Sequence, residues 1–145
     1  MSIASRHGFY YEDLSVGQSA SFAKTVTEAD LVLFAGVTGD TNPVHLDQEF
    51  AESTMFKGRI AHGMLSAGFV STVFGTTLPG PGAIYLSQTL NFKAPVRIGD
   101  TVVATVTVTA LDGKRRATFS TVCTVAGKPV MDGEAVLLVS PRPKE

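Results

Sequence analysis

His62-Gly63-Met64-Leu65-Ser66-Ala67-Gly68-Phe69-Val70-Ser71-Thr72-Val73-Phe74-Gly75-Thr76-Thr77-Leu78 is the most apolar helix-compatible run in the chain. Met64, Leu65, Ala67, Gly68, Phe69, Val70, Val73 and Phe74 cover most of a helical circumference, which predicts a helix buried on nearly all sides. Its 17 residues would run roughly 25 Å. A helix that central needs something large wrapped around it.

The residues that follow supply the wrapping. After the loop Pro79-Gly80-Pro81-Gly82, residues 83–92 read as a strand, and Pro95 forces a break or an edge position. Val102, Ala104, Val106, Val108 and Ala110 alternate with Thr101, Val103, Thr105, Thr107 and Thr109 in a period of two. Asp112-Gly113 signals a hairpin, and Ala117, Phe119, Thr121, Cys123 and Val125 line one face of the return strand. Gly127-Lys128 turns the chain into a last strand over residues 130–140.

Upstream of the central helix the pattern is a short strand near residues 19–26, then helix. Thr27 starts the helix through Thr27-Glu28-Ala29-Asp30, a capping-box-like sequence, and Gly39 stops it. A second short helix is expected over residues 47–52. Helices followed by an antiparallel meander make an α+β domain, and 145 residues fit one domain with a continuous core.

Composition removes several functional classes. Twelve Lys+Arg against thirteen Asp+Glu give a net charge of −1, with no basic excess for a nucleic acid. The single cysteine, Cys123, permits no intrachain disulfide and fits a reducing compartment. No apolar run is long enough to span a bilayer, and the first residues lack the apolar stretch of a signal peptide. The expectation is a soluble, cytoplasmic protein without nucleic-acid or membrane partners.

The chemistry is concentrated in Gly39-Asp40-Thr41-Asn42-Pro43-Val44-His45-Leu46-Asp47 and Phe56-Lys57-Gly58-Arg59-Ile60-Ala61-His62-Gly63-Met64-Leu65. Asn42-Pro43 disfavours helix and favours a turn between Asp40 and His45. A turn would let carboxylate and imidazole converge on one water. An Asp before a turn is also commonly an Asx-turn residue, and a nearby His a packed polar group. Gly63 falls at the start of the central helix, where free N–H groups and the dipole can receive negative charge on a carbonyl oxygen. The same glycine could simply permit tight packing, and the local sequence leaves both readings open.

These two segments, together with Tyr11-Glu12-Asp13-Leu14-Ser15-Val16-Gly17 and Tyr85-Leu86-Ser87-Gln88-Thr89-Leu90-Asn91-Phe92-Lys93-Ala94-Pro95-Val96 before Gly99-Asp100, resemble the MaoC-like (R)-specific enoyl-CoA hydratase and 3-hydroxyacyl-thioester dehydratase family. The resemblance runs from about residue 10 to 139. It implies one hot-dog domain over residues 1–145, with an antiparallel sheet around a central helix, and a homodimer. It implies catalytic Asp40 and His45, an oxyanion-hole amide at Gly63, and Asn42 orienting the loop. It places Ser71 near the acyl or water site, while Phe74 would shorten an acyl tunnel. The implied reaction adds water to a trans-2-enoyl thioester to give a (R)-3-hydroxyacyl thioester, or runs backwards as a dehydration. No metal or other cofactor is needed, since water addition transfers no electrons. Asp40 is favoured as base and His45 as acid, with the order left open.

The carrier is coenzyme A or, alternatively, an acyl carrier protein. Chain length, carrier and metabolic direction (storage-polymer supply, β-oxidation or fatty-acid synthesis) are not in the sequence. A hot-dog thioesterase is opposed by the lack of Asp or Glu in His62–Leu78, and a non-catalytic acyl-CoA-binding subunit by the presence of both Asp40 and His45. His62 reads as structural, and His7 as an uninvolved terminal residue. Asp47 and Glu49 suit a helix first turn. Lys57, Arg59, Lys93 and Arg97 are either coenzyme A phosphate ligands or scattered surface cations.

Overall fold

The computed structural model describes residues 6–145. A 3₁₀ turn at Tyr11–Asp13 leads into β1 (Ser19–Thr25), followed by α1 (Glu28–Thr38), α2 (Pro43–Leu46), α3 (Gln48–Glu52) and α4 (Gly63–Thr76). The remaining strands are β2 (Ile84–Gln88), β3 (Asn91–Phe92), β4 (Thr101–Leu111), β5 (Arg116–Val125) and β6 (Lys128–Leu138). All pair antiparallel in one six-stranded sheet of order β1-β4-β5-β6-β2, with β3 also against β6.

Alternation builds the inner face of this sheet. Val102, Ala104, Val106 and Val108 of β4 are buried, as are Ala117, Phe119, Thr121 and Cys123 of β5. The period slips after Val108, where the register with β5 shifts before Ala110. Ala110, expected on the buried face, is consequently exposed. Burial pushes the Cys123 thiol up to about 11, so the thiol is an inert strand residue.

Residues 83–92 follow a single path that is interrupted in the middle. Gln88 pairs with Ala135 and Asn91 with Asp132, so the register is the same on both sides of the gap. At the gap Thr89 comes so close to β6 that Gly133 has no room for a Cβ beside the Thr89 carbonyl.

The helices begin and end as their sequences direct. The Thr27 hydroxyl accepts from Asp30 N at 3.2 Å and the Asp30 carboxylate accepts from Thr27 N at 2.9 Å, a full capping box. Lys24 beside Asp30, 2.6 Å away, helps hold that carboxyl below its ordinary pKa. Gly39 closes α1 at φ 79°, in the left-handed region. Between Asp40 and His45 the expected turn is a single helical turn: Asn42 is its cap, accepting from Val44 N at 3.1 Å, and Pro43 takes the first position.

One expectation needs correcting. The sheet wraps α4 from one side only, against β4, β1 and β5. Phe69, Val70, Val73 and Phe74 are buried, whereas Met64, Gly68, Ser71 and Gly75 form an exposed stripe at helical spacing. α4 is therefore half covered, because among the described residues no further element lies over that stripe. A curved antiparallel sheet around one long apolar helix is the hot-dog fold, of the α+β class.

Candidate active site

The segment joining α1 to α2 carries Asp40. Its amide donates to the Thr38 hydroxyl at 3.2 Å, and one carboxylate oxygen accepts from Asn42 N at 3.3 Å. Asp40 is thus an Asx-turn residue whose exposed carboxylate retains capacity for a ligand. The two readings of its sequence position are compatible.

His45 stands in α2 with 8% of its surface exposed. Its Nδ1 lies 2.8 Å from the Ile60 carbonyl oxygen. A carbonyl can only accept, so Nδ1 carries the proton and Nε2 of the neutral ring is a bare acceptor. Burial is the main reason the ring's pKa lies below its ordinary value, and it outweighs the opposing pull of the Ile60 bond and of the Asp40 charge.

His62 caps α4 and is 2% exposed. Its Nε2 donates to the backbone carbonyl of Asp40 at 2.9 Å. The ring lies face to face with His45, centroids 3.8 Å apart at 28°, and meets Phe34 of α1 at 4.7 Å. One atom each of Asp40, His45 and His62 lies within 4.8 Å of the other two. Two acceptors holding one tetrahedral water are separated by about 4.7 Å at ordinary hydrogen-bond lengths, a separation that the 4.8 Å limit on this cluster accommodates. It suits a metal ion less well. An ion shared by two imidazoles lies in both ring planes, and stacked rings do not aim at a common point without turning.

Gly63, the first residue of α4, has an amide with no intrahelical partner. A Cβ here would lie 2.8 Å from the ring of the half-exposed Phe92, which would have to move aside. Two cavities approach this end of α4, and Met64 lines both. One, of about 530 Å³, is bounded by Met55, Phe56, Gly63, Phe92, Val96 and Met131. The other, of about 540 Å³, lies between α4 and β2 against Phe34, Gly68, Ser71, Tyr85 and Leu86. Both fall in the size range of small-molecule sites and are mostly apolar.

Ser71 therefore faces a groove, whereas Phe74 is sealed behind it. Phe74 is 2% exposed, edge-on to Phe119 at 4.9 Å and to Tyr85 at 5.2 Å. It backs the Tyr85 that lines the groove. Burial pushes the Tyr85 phenol up to about 12, keeping it a neutral donor, bonded to Gln88. Of the cations, Arg59 pairs with Glu28 at 2.9 Å and Arg97 donates to the Phe56 carbonyl. Both pin loops. Lys93 lines the first cavity, 3.7 Å from Asp132. His7 packs on Tyr10 near Thr76 and Thr77, at the opposite end of α4.

A wrapped apolar helix whose first turn meets an Asp–His pair defines a class, and residues 14–132 match the model of the MaoC like domain. The chain belongs to the MaoC-like family. It is 63% identical to the (R)-specific enoyl-CoA hydratase of Rhodospirillum rubrum, over 92% of this chain and 93% of that one. It is 52% identical to the 3-hydroxybutyryl-CoA dehydratase of Methylorubrum extorquens, over 90% and 83% of the two chains. Among solved structures, R-hydratase PhaJ1 from Pseudomonas aeruginosa in the unliganded form superposes with a TM-score of 0.89 at 46% identity, covering 94% of this chain and 88% of that one.

Proposed function

We propose that this chain is an (R)-specific 2-enoyl-CoA hydratase, a hydro-lyase that forms (R)-3-hydroxyacyl-CoA from trans-2-enoyl-CoA and runs in reverse as a dehydratase. The observation that carries the reading is the span between the Asp40 carboxylate and the ring of His45, beside the free amide of Gly63. The similarity to named hydratases over nine-tenths of the chain supports it.

The thioester carbonyl accepts a hydrogen bond from Gly63 N–H, which draws charge onto oxygen and makes C3 electrophilic. Asp40 and His45 Nε2 are both acceptors, so a water between them donates both hydrogens and points a lone pair at C3. As its oxygen bonds to C3, one proton passes to His45 Nε2, the imidazole being the stronger base of the two types. Asp40 stabilises the imidazolium. His45 then returns that proton to C2 on the same face as the enolate collapses. This order makes His45 the base first and the acid second, opposite to the order favoured from sequence.

The open stripe of α4 and the unpaired edge of β2 further support a homodimer. Ile84, Tyr85 and Leu86 are large, apolar and exposed on an edge strand, which is a template for pairing with a second sheet. A second copy there would roof the Ser71 groove and turn it into an acyl tunnel. The reading takes the whole chain as one hydratase unit acting in the cytoplasm. Among the described residues no helix is long and apolar enough to cross a membrane.

Loss of the conjugated-enoyl absorbance of crotonyl-CoA, followed over a chain-length series, tests the reaction. Asp40→Asn and His45→Gln are each expected to lower kcat by at least about 1,000-fold with folding intact. Full activity in either variant would overturn the site. Activity on acyl-carrier-protein thioesters alone would move the assignment to a dehydratase subunit of fatty-acid synthesis.

A further inference from the structure

We propose that His62 is a positioning residue for the hydration, locking the Asp40 carboxylate, the His45 ring and the Gly63 amide into one rigid unit; this rests on the function proposed above. His62 touches all three in different ways. Its Nε2–H holds the Asp40 carbonyl at 2.9 Å, its face covers His45 at 3.8 Å, and its own peptide bond delivers Gly63.

Each contact constrains a different degree of freedom. The hydrogen bond fixes the loop from which the Asp40 carboxylate projects. The stacked face prevents the His45 ring from tilting about its bond to Ile60. The peptide link sets where the α4 amides start relative to both. Phe34 of α1 also meets the ring, tilted at 4.7 Å, so His62 is held by contacts to both α1 and α2.

The tautomer follows from the partner. With its proton on Nε2, the neutral ring has a bare lone pair on Nδ1, and that buried atom has no hydrogen-bond partner. Leaving a buried acceptor unsatisfied costs stability. A residue kept only for packing would be served by an apolar ring, and one kept only as a cap would use its side chain on α4, which His62 does not. What the imidazole supplies uniquely is a donor at the Nε2 position on a flat ring.

His62 also bears on the charge of its neighbour. The titratable groups facing His45 are Asp40, which favours its protonated form, and His62, which opposes it; Phe34 and the Ile60 carbonyl bring no titration. His45 must be neutral to accept a proton from water. The wild-type acid limb of kcat/KM is thus expected below the ordinary imidazole value.

Two amides of similar polarity separate donor position from bulk. In His62→Gln the new side-chain nitrogen reaches the place of Nε2, whereas in His62→Asn it falls at the place of Nδ1. With crotonyl-CoA, His62→Asn is expected to lower kcat about 100-fold with a much smaller change in KM. His62→Gln is expected to retain at least about ten times more kcat than His62→Asn. Equal kcat in the two variants overturns the proposal. Asp40→Asn in the same assay shows whether the function itself has failed instead. Nitrogen-15 spectroscopy of the wild-type protein tests the tautomers without a variant. A proton on Nε2 of His62 and on Nδ1 of His45 supports the proposal; a proton on Nδ1 of His62 sinks it.

Discussion

On its inner face α4 presents Phe69, Val70, Val73 and Phe74, each no more than 6% exposed, whereas on its outer face Met64, Gly68, Ser71 and Gly75 stand open. The inner face is built of large branched and aromatic side chains that fill the concave sheet. The outer one is mostly glycine and serine, which bury little area but let another surface come close to the helix backbone. The same helix thus carries two tasks on opposite sides. The inner side stabilises the chain by itself. The outer side contributes little to the isolated fold and is suited to a ligand and to a second copy.

The largest expected effect breaks the inner face. Phe74→Ala removes a ring held by Phe119 and Tyr85 and leaves a cavity beneath β2. A loss of about 3–5 kcal/mol in unfolding free energy is expected in urea denaturation. A loss under about 1 kcal/mol would mean that β2 and α4 collapse to refill the space, and that the inner face is less tightly determined than its burial indicates.

The edge of β2 sharpens the contrast next. Leu86 is 44% exposed on the groove side of that strand. Leu86→Lys places a charge where a second copy would pair, and sedimentation is expected to show monomer in place of dimer while the monomer keeps its circular dichroism. Surface substitutions of this kind usually alter monomer stability by no more than about 0.5 kcal/mol. An unchanged dimer would move the interface away from β2.

How much of this was legible depended on whether the signal was local. The capping box at Thr27–Asp30, the alternation of β4 as far as Val108 and the Gly39 stop are short-range patterns, and all three stand in the structure. The half-covered state of α4 was not legible. Hydrophobic periodicity reports that a face avoids water, without saying whether the cover comes from the same chain or another. The break at Thr89–Leu90 is also missed, because the close approach that accompanies it is to Gly133, more than forty residues away. At the site, the spacing of Asp40 and His45 on either side of Asn42-Pro43 fits a catalytic pair and an Asx-turn beside a packed histidine equally well, and only the family resemblance favours the pair. The bond from His62 to the Asp40 carbonyl spans 22 residues and leaves no periodic trace. What the sequence does offer is a histidine directly before the helix-opening glycine, a position where a side chain can reach sideways across the helix entrance.

The smallest effect is the most discriminating. Gly68 lies within α4 on its outer face, and a Cβ added there meets nothing within 4 Å. At Gly63, by contrast, the same methyl would strike the Phe92 ring at 2.8 Å. Helical glycine is less favourable than alanine by roughly 0.5–1 kcal/mol, so Gly68→Ala is expected to stabilise the isolated chain by about that amount. A monomeric Leu86→Lys background reads this directly, as a rise in the urea midpoint at constant slope. In the proposed dimer the gain should shrink or reverse, since a second copy seated against the helix would meet the new methyl. The sign therefore reports occupancy of the outer face. Stabilisation in both backgrounds would mean that the partner keeps clear of Gly68. Destabilisation in both would mean that the chain covers this stripe itself, and the contrast between the two faces of α4 would be lost.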